Sequence, residues 1–181
     1  EQNSVMCRFP ARVQWLTDTL NIDKSGLQTD CPELNDWMQK LAPEQLSIMF
    51  AQEYLDNPIS AFAHTLLRID SKASVADPSQ IHHAVALNYT VGGDSSDNFL
   101  VYAIKSMSGG YDNLIEIDPY PEKLAKYLQE DERDAWTYQL ALTPAEVQQI
   151  MLHVWETKDL KLPYYFTTDN CASEILRLID V

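Results

Sequence analysis

The spacing of apolar residues predicts helices at both ends of the chain. Near the N-terminus, Val13, Leu16 and Leu20 fall on one face of a helix from Pro10 onward. Pro32 then occupies the first position of a second helix, where a missing N–H costs nothing. This second helix continues with apolar residues at helical spacing, namely Leu34, Trp37, Met38 and Leu41.

Two further helices are predicted toward the C-terminus. Thr143, Pro144 and Glu146 form a capping box with proline at the first helical position. After the aromatic segment 164–166, Asp169 and Asn170 are residues that accept bonds from the free N–H groups of a helix start. We therefore expect the last helix to begin at about Cys171. Its apolar face consists of Cys171, Ile175, Leu178 and Ile179.

The middle of the chain is predicted to form a mostly antiparallel sheet. Strands are expected in the second half of 59–69 and at 83–91, 99–104, 114–117 and 136–143. Residues 47–54 suit either a helix or a buried strand, 56–58 a turn, and 121–129 a short helix. The strand over 83–91 has a bulky face and a small face, and the small face consists of Ala84, Ala86 and Asn88. A helix can approach such a face closely, with Asn88 beneath it.

These elements predict a single α+β domain over 1–181, with a helical cover at 1–45 and a core at 46–181. A chain of 181 residues buries about 70% of its unfolded surface. The net charge of −14 argues against a nucleic-acid partner and against electrostatic adhesion to anionic lipid. No apolar run is long enough to span a membrane. Because the chain begins at Glu1 without a leader, we expect a processed product or an excised segment.

The chain contains three cysteines, at positions 7, 31 and 171. An odd number in an exported protein suggests one disulfide and one free thiol. A bridge between Cys7 and Cys31 would stabilise the fold by about 3–4 kcal/mol on chain-entropy reasoning. Three reduced thiols in a cytosolic protein remain the alternative on composition alone.

Cys171 is a candidate nucleophile because it lies at a predicted helix start. There the free N–H groups and the helix dipole stabilise a thiolate, and the same N–H groups can hold an oxyanion. A buried, inert cysteine is the equally open alternative. A thiol nucleophile needs a base, and His64 is the best placed of the four histidines because it follows a turn at the start of a strand. His82 and His83 are weaker candidates, and His153 suits a surface or packing role.

Asn88 suits the third catalytic role, since its amide oxygen can accept from the imidazole and fix the tautomer. A polar residue at a strand end is the other interpretation. No histidine and cysteine spacing indicates a metal site, and no nucleotide-binding or serine-hydrolase motif is present. We therefore expect neither a metal nor a cofactor.

Six short motifs follow one another along the chain. They are Cys7-Arg8-Phe9-Pro10-Ala11-Arg12 with Trp15-Leu16, Cys31 with Leu34 and Trp37, 57–68 (NPISAFAHTLLR), Gly109-Gly110-Tyr111, 132–140 (ERDAWTYQL), and Tyr164-Tyr165-Phe166 leading to Asn170-Cys171. In this order they resemble the Lnb N-terminal periplasmic domain family of Gram-negative bacteria over essentially the whole chain. Ala63 departs from the family, which more often has glycine before its histidine.

The resemblance implies a permuted papain-like, NlpC-type fold in which the histidine strand precedes the cysteine helix. It also implies N-acylation of bacterial lipoproteins, with an acyl chain passing from a phospholipid to the cysteine and on to an amine. Full-length members usually continue into a membrane-embedded region, so membrane contact is expected only through regions absent from this chain.

The leading hypothesis is a periplasmic thiol acyltransferase or hydrolase. Cys171 is its nucleophile, His64 its base and Asn88 its third group. Tyr165 and Asn170 are assigned to oxyanion or substrate binding. Two alternatives stay open: an amidase or peptidase that acts on cell-wall peptides with the same three residues, and an inactive binding module that has kept the fold. The shape of the substrate groove should distinguish the acyltransferase from the peptidase, because an open polar cleft favours peptides and an apolar channel favours acyl chains.

Overall fold

The computed structural model describes residues 4–27, 30–52, 64–92, 97–130 and 134–180. Its helices are α1 (Val5–Arg8), α2 (Pro10–Thr19), α3 (Pro32–Leu41), α4 (Lys72–Ala76), α5 (Phe99–Ser108), α6 (Tyr120–Ala125), α7 (Pro144–Thr157) and α8 (Cys171–Ile179). Its strands are β1 (Pro43–Ala51), β2 (His64–Ser71), β3 (Val85–Gly92), β4 (Tyr111–Pro119), β5 (Ala135–Gln139) and β6 (Leu162–Tyr164). Short 3-10 segments occupy Lys24–Gly26 and Pro78–His83, and a π turn occupies Lys126–Glu130.

The described strands form one six-stranded sheet in the order β5-β1-β2-β3-β4-β6, and every neighbouring pair is antiparallel. Residues 47–51 belong to strand β1, because Met49 pairs with Leu66 of β2 and Thr137 of β5. The ambiguous stretch 47–54 is therefore a strand as far as Ala51, and its positions 53 and 54 lie outside the described residues. The structure therefore confirms the α+β class and the antiparallel sheet. The predicted turn at 56–58 lies outside the described residues.

Helical layers cover both faces of the sheet. On one face, α7 and α8 pack against the bulky side of β3 in the main core, whose fully buried members include Leu46, Leu67, Leu87, Ile150 and Ile175. On the other face, Tyr120 of α6 and Tyr127 of the π turn pack against Ala84 and Ala86. These small side chains let the aromatic rings approach the sheet closely, as the two-residue period of β3 predicts.

The N-terminal helices are fastened to α7. A disulfide joins Cys7 to Cys31 with 5.4 Å between the Cα atoms, which confirms the predicted bridge. The indole Nε1 of Trp155 donates to the backbone oxygen of Cys7 at 2.8 Å. The buried carboxylate of Glu156 accepts the backbone N–H of Arg12 at 2.9 Å, so a side chain of α7 satisfies a free donor in the first turn of α2.

Helix α2 forms as predicted, but the leucines of its predicted apolar face point outward. Leu16 is 44% exposed and Leu20 is 62% exposed, whereas Ala11 and Thr17 are buried. The bond to Glu156 explains this orientation, because it turns the first turn of α2 toward α7 and leaves the leucine stripe outside. Helix α3, by contrast, begins at Pro32 and buries Leu34, as predicted.

The prediction of a strand over 99–104 is wrong, because these residues form the first part of α5. Asn98 caps the helix by accepting the N–H of Val101 at 3.0 Å, and Gly109 ends it with φ of 75°. An unbroken apolar run is compatible with either structure, and the two caps decide for the helix. The connection predicted from Ser106 to Tyr111 is correspondingly short, because α5 extends to Ser108.

The remaining boundaries differ by a few residues. Strand β3 begins at Val85 because the 3-10 segment continues to His83, and β5 ends at Gln139. The short helix predicted at 121–129 corresponds to α6 and the π turn that follows it. The capping box of Thr143 and Glu146 is present at the start of α7, as predicted.

We expect the double variant Cys7→Ser with Cys31→Ser to lose about 3–4 kcal/mol of unfolding free energy, because the bridge removes chain entropy from the unfolded state. Urea unfolding followed by tryptophan fluorescence measures the change. Cys171→Ser leaves the bridge intact and serves as the control. A double variant as stable as the parent would show that packing on α7 alone holds the N-terminal helices.

Candidate active site

The start of α8 is fixed by a reciprocal cap. The side-chain oxygen of Asn170 accepts the N–H groups of Ala172 and Ser173, each at 3.1 Å. The hydroxyl of Ser173 in turn accepts the N–H of Asn170 at 2.8 Å. The cap places Cys171 at the first helical position, as predicted, where its own N–H has no acceptor within the helix.

The sheet opens beside this helix start. Strands β2 and β3 pair over three residues, from Ile69 opposite Val85 to Leu67 opposite Leu87. Ahead of Leu67, β2 continues to pair with β1 on its other side, while β3 stays paired with β4. The backbone of β2 is thereby released from β3 at Thr65, whose N–H bonds to Cys171. Helix α8 contacts both strands.

His64 lies between Cys171 and Asn88. The His64 side chain hydrogen-bonds with the Cys171 thiol, and its Nε2 donates to the amide oxygen of Asn88. An amide oxygen can only accept, so Nε2 carries a proton and Nδ1 is the nitrogen left for the sulfur. The structure therefore brings three residues together that are up to 107 positions apart in sequence.

The electrostatics of the site favour a thiolate. Burial raises the pKa of Cys171. The hydrogen bond and the charge of His64, together with the N–H groups of Thr65 and Ala172, lower this pKa by more than burial raises it. The net result is a pKa below the ordinary thiol value. Cys171 is free and half-buried, so its sulfur is not sealed in a disulfide.

Tyr164 is a site residue that the sequence analysis missed. It is 9% exposed, and burial, followed by the charges of Cys171 and Tyr102, raises its pKa to about 12. The predicted neighbour Tyr165 instead places its ring on Gly109, where an added Cβ would lie 2.6 Å from the ring. The aromatic segment indicated the region, but only packing shows that Tyr164 lies close enough to Cys171 for their charges to interact, while the Tyr165 ring packs on Gly109.

The amide group of Asn170 serves the backbone. Its oxygen caps α8 and its Nδ2 donates to the backbone oxygen of Phe166 at 2.9 Å, so both ends of the amide are engaged. Asp169, the other predicted cap, instead pairs with Arg177 at 2.6 Å. These contacts give Asn170 a structural part in holding the helix start.

The other histidines lie elsewhere. His82 and His83 are exposed at the end of a 3-10 segment, with ring centroids 4.2 Å apart. His153 lines a cleft of about 180 Å³ beside Tyr89 and Glu174. A second cleft, of about 390 Å³, lies between Met38 and Gln148. Neither cleft is lined by Cys171, His64 or Asn88.

Within the described ranges, no cluster of acidic, histidine and cysteine side chains is arranged for a metal ion.

A family model for the Lnb N-terminal periplasmic domain matches residues 33–181. The matched range contains His64, Asn88 and Cys171 and begins after the bridge cysteines. No curated protein and no solved structure matches the chain. Among the described residues, none of the helices has the length and apolar character needed to cross a bilayer.

We expect His64→Ala to raise the pKa of Cys171, because the variant removes the stabilising hydrogen bond and charge while burial, which opposes ionisation, remains. The rate of iodoacetamide alkylation as a function of pH measures the pKa. In the parent the rate should rise at a pH below the ordinary thiol range, and in the variant the rise should move upward. His153→Ala is the matched control. An unchanged profile in His64→Ala would contradict the assigned contact.

Proposed function

The chain belongs to the Lnb N-terminal periplasmic domain family, and from this we propose that it is a periplasmic cysteine-dependent acyl-transfer enzyme. The observation that carries the proposal is the hydrogen-bonded line from Cys171 through His64 to Asn88. A nucleophile, a base and a group that orients the base are the parts that thiol catalysis requires. The chain is a periplasmic domain. The periplasm is oxidising, so the Cys7–Cys31 bridge can persist there.

The first half-reaction forms a thioester. The Nδ1 atom of His64 takes the thiol proton, and the Cys171 thiolate attacks the carbonyl carbon of a phospholipid ester. The ester C–O bond then breaks, and the proton held by His64 passes to the departing alcohol. The acyl group remains on Cys171, and the by-product is a lysophospholipid.

The second half-reaction moves the acyl group to an amine. The amine attacks the thioester carbonyl, His64 takes the proton that the amine loses, and the C–S bond breaks to release Cys171. The family resemblance implies the amino group of a lipoprotein as the acceptor. Water in place of the amine would give hydrolysis, so access of the amine decides between transferase and hydrolase.

We assign two groups to the oxyanion that forms in each half-reaction. One is the N–H of Cys171, which has no acceptor within α8. The other is the hydroxyl of Tyr164, whose raised pKa of about 12 keeps it protonated and able to donate at neutral pH. We assign this role to Tyr164 in place of Tyr165, because the Tyr165 hydroxyl lies against Gly109.

The chain order supports a permuted papain-like fold. His64 lies on β2, Asn88 on β3 and Cys171 at the start of α8, so the histidine strand precedes the cysteine helix. The helix packs against the same sheet that presents the histidine. This arrangement can serve an amidase as well as an acyltransferase, so the choice of phospholipid needs a direct test.

We expect incubation with phospholipid to add one acyl group to Cys171, detected by intact-protein and peptide mass spectrometry. His64→Ala should slow adduct formation by roughly 10²–10⁴-fold, the usual contribution of a general base. Cys171→Ala should form no adduct at all. A folded parent that forms no adduct, or that instead cleaves cell-wall peptides, would count against acyl transfer.

We expect Asn88→Ala to lower kcat with little change in KM, because Asn88 contacts the imidazole and lies too deep to touch substrate. Steady-state kinetics with the phospholipid donor measure both constants, and the alkylation profile of Cys171 reports the accompanying change in the thiol pKa. Asn88→Gln keeps an amide and should restore part of the loss. An equal loss in both variants, without a shift in the alkylation profile, would indicate a merely structural role.

A further inference from the structure

The cleft of about 180 Å³ beside His153 and Glu174 is lined by a buried amide that has no partner. Asn113 is 3% exposed, and neither its Oδ1 nor its Nδ2 has a hydrogen-bond partner among the described residues. Buried side-chain amides are nearly always hydrogen-bonded, because an amide that loses its water and gains no partner is costly. The wall of this cleft therefore carries a donor and an acceptor that the fold itself does not use.

Strand pairing places Asn113 on an otherwise apolar face of the sheet. Asn113 lies opposite Val91 of β3 and Leu162 of β6, and the next pair on the same face is Tyr89 with Ile115. Tyr89 and Ile115 belong to the main core that α7 and α8 cover. A leucine or isoleucine at position 113 would simply continue this core. Packing alone therefore gives no reason for an amide here.

Two further buried polar side chains line the cleft, Tyr89 and Glu174, each 7% exposed. Burial, followed by the charge of Glu174, raises the pKa of Tyr89 above its ordinary value, so its hydroxyl stays protonated and able to donate. Arg177, whose side chain is 58% exposed, pairs with Glu174 and offsets the charge of the carboxylate. The apolar part of the wall consists of Ile115, Leu160, Leu162 and Leu178. A small number of polar groups in an apolar cleft is typical of a ligand site.

We propose that the cleft between α8 and strands β3 and β4 binds a small neutral molecule that carries a primary carboxamide on an apolar body. The amide of Asn113 can pair with such a carboxamide through two bonds. Its Nδ2 donates to the ligand oxygen, and its Oδ1 accepts a ligand N–H. Glu174 and Tyr89 offer an acceptor and a donor for the groups that remain, and the apolar body packs on the leucines of the wall.

The two-bond pair distinguishes a primary carboxamide from other polar groups. It requires an N–H and a C=O on the same side of the ligand amide, which a primary carboxamide has. In a trans peptide bond the N–H and the C=O point in opposite directions, so only one of the two bonds can form. A carboxylate has no donor for Oδ1 of Asn113 and meets the like charge of Glu174. An ammonium group has no acceptor for Nδ2 and competes with Arg177 for Glu174.

Leu162 controls access to Asn113. The two polar atoms of the amide have almost no exposed surface, so a ligand reaches them only by displacing a neighbouring side chain. Leu162 lies directly opposite Asn113 on the edge strand β6 and is 42% exposed. A side chain that is already partly in solvent can change rotamer without giving up a buried position. Binding therefore needs a side-chain movement at the edge of the sheet and no change in the strands.

Titration with benzamide, followed by proton–nitrogen correlation NMR, tests the cleft. The side-chain amide signal of Asn113, identified by its absence in Asn113→Leu, should shift and saturate with a Kd on the order of 1 mM, the range for a ligand of this size. The backbone signals of α8 measure affinity in the variants. Asn113→Leu should weaken benzamide binding at least roughly tenfold, because both bonds are lost. Gln148→Leu, which removes an exposed amide from the other cleft, is the matched control and should bind as the parent does.

Two related compounds test the chemistry of recognition on the parent itself. N-methylbenzamide, whose amide is trans, and benzoate should each bind at least roughly tenfold more weakly than benzamide. Asn113→Leu should fold, since it replaces an unpartnered amide by an apolar side chain on a core face, and if it does not, this comparison of compounds decides. Three outcomes would overturn the proposal: no saturable shift of the Asn113 amide signal, equal binding of N-methylbenzamide, and benzamide binding that Asn113→Leu leaves unchanged. None of these measurements involves Cys171, so the result for the cleft is separate from the result for acyl transfer.

Discussion

The contact between the start of α8 and the opened end of β2 is the interaction on which the candidate site depends. Burying a sulfur makes its thiolate less stable, and the structure offsets this with groups from both elements. Helix α8 supplies the N–H of Ala172, and β2 supplies the N–H of Thr65 and the imidazole of His64. Because the groups that lower the thiol pKa come from both elements, the chemistry requires the packed sheet.

The two faces of the sheet position different residues of the candidate site. The bulky face of β3 packs against α7 and α8 and fixes the position of the cysteine helix. The small face leaves room for Asn88, which is 6% exposed and bonds to His64, whose ring lies 6.0 Å from that of Tyr127. The imidazole is therefore held from the face opposite to the helix that carries its partner. Strand alternation makes this possible, since neighbouring residues of one strand point to opposite faces.

The N-terminal helices act at a distance from this site. Their disulfide, the bond from Trp155 to Cys7 and the bond from Arg12 to Glu156 all connect them to α7. Because α7 also packs in the main core beside α8, this region supports the scaffold without contributing a residue to the thiol site. The family match, which begins at residue 33, contains every residue of the line from Cys171 to Asn88.

Local signals were enough to predict much of this protein. The capping box of Thr143 indicated the start of α7, and Asn170 as a cap residue indicated the start of α8. The cysteine count suggested the bridge, and the two-residue period of β3 identified Asn88 and its face. These features depend on neighbours within a few positions, which a sequence displays directly. The contact from His64 to Cys171 could be proposed from residue types, but not measured.

Other features were decided only by tertiary structure. The leucine stripe of α2 faces outward because Glu156, far along the chain, binds its first turn. The caps at Asn98 and Gly109 were visible in the sequence, but only packing turned the apolar side of α5 to solvent. Packing placed Tyr164 close enough to Cys171 for their charges to interact and put the ring of Tyr165 on Gly109. In each case the outcome depends on which distant surface a side chain meets, and a sequence pattern does not contain that information.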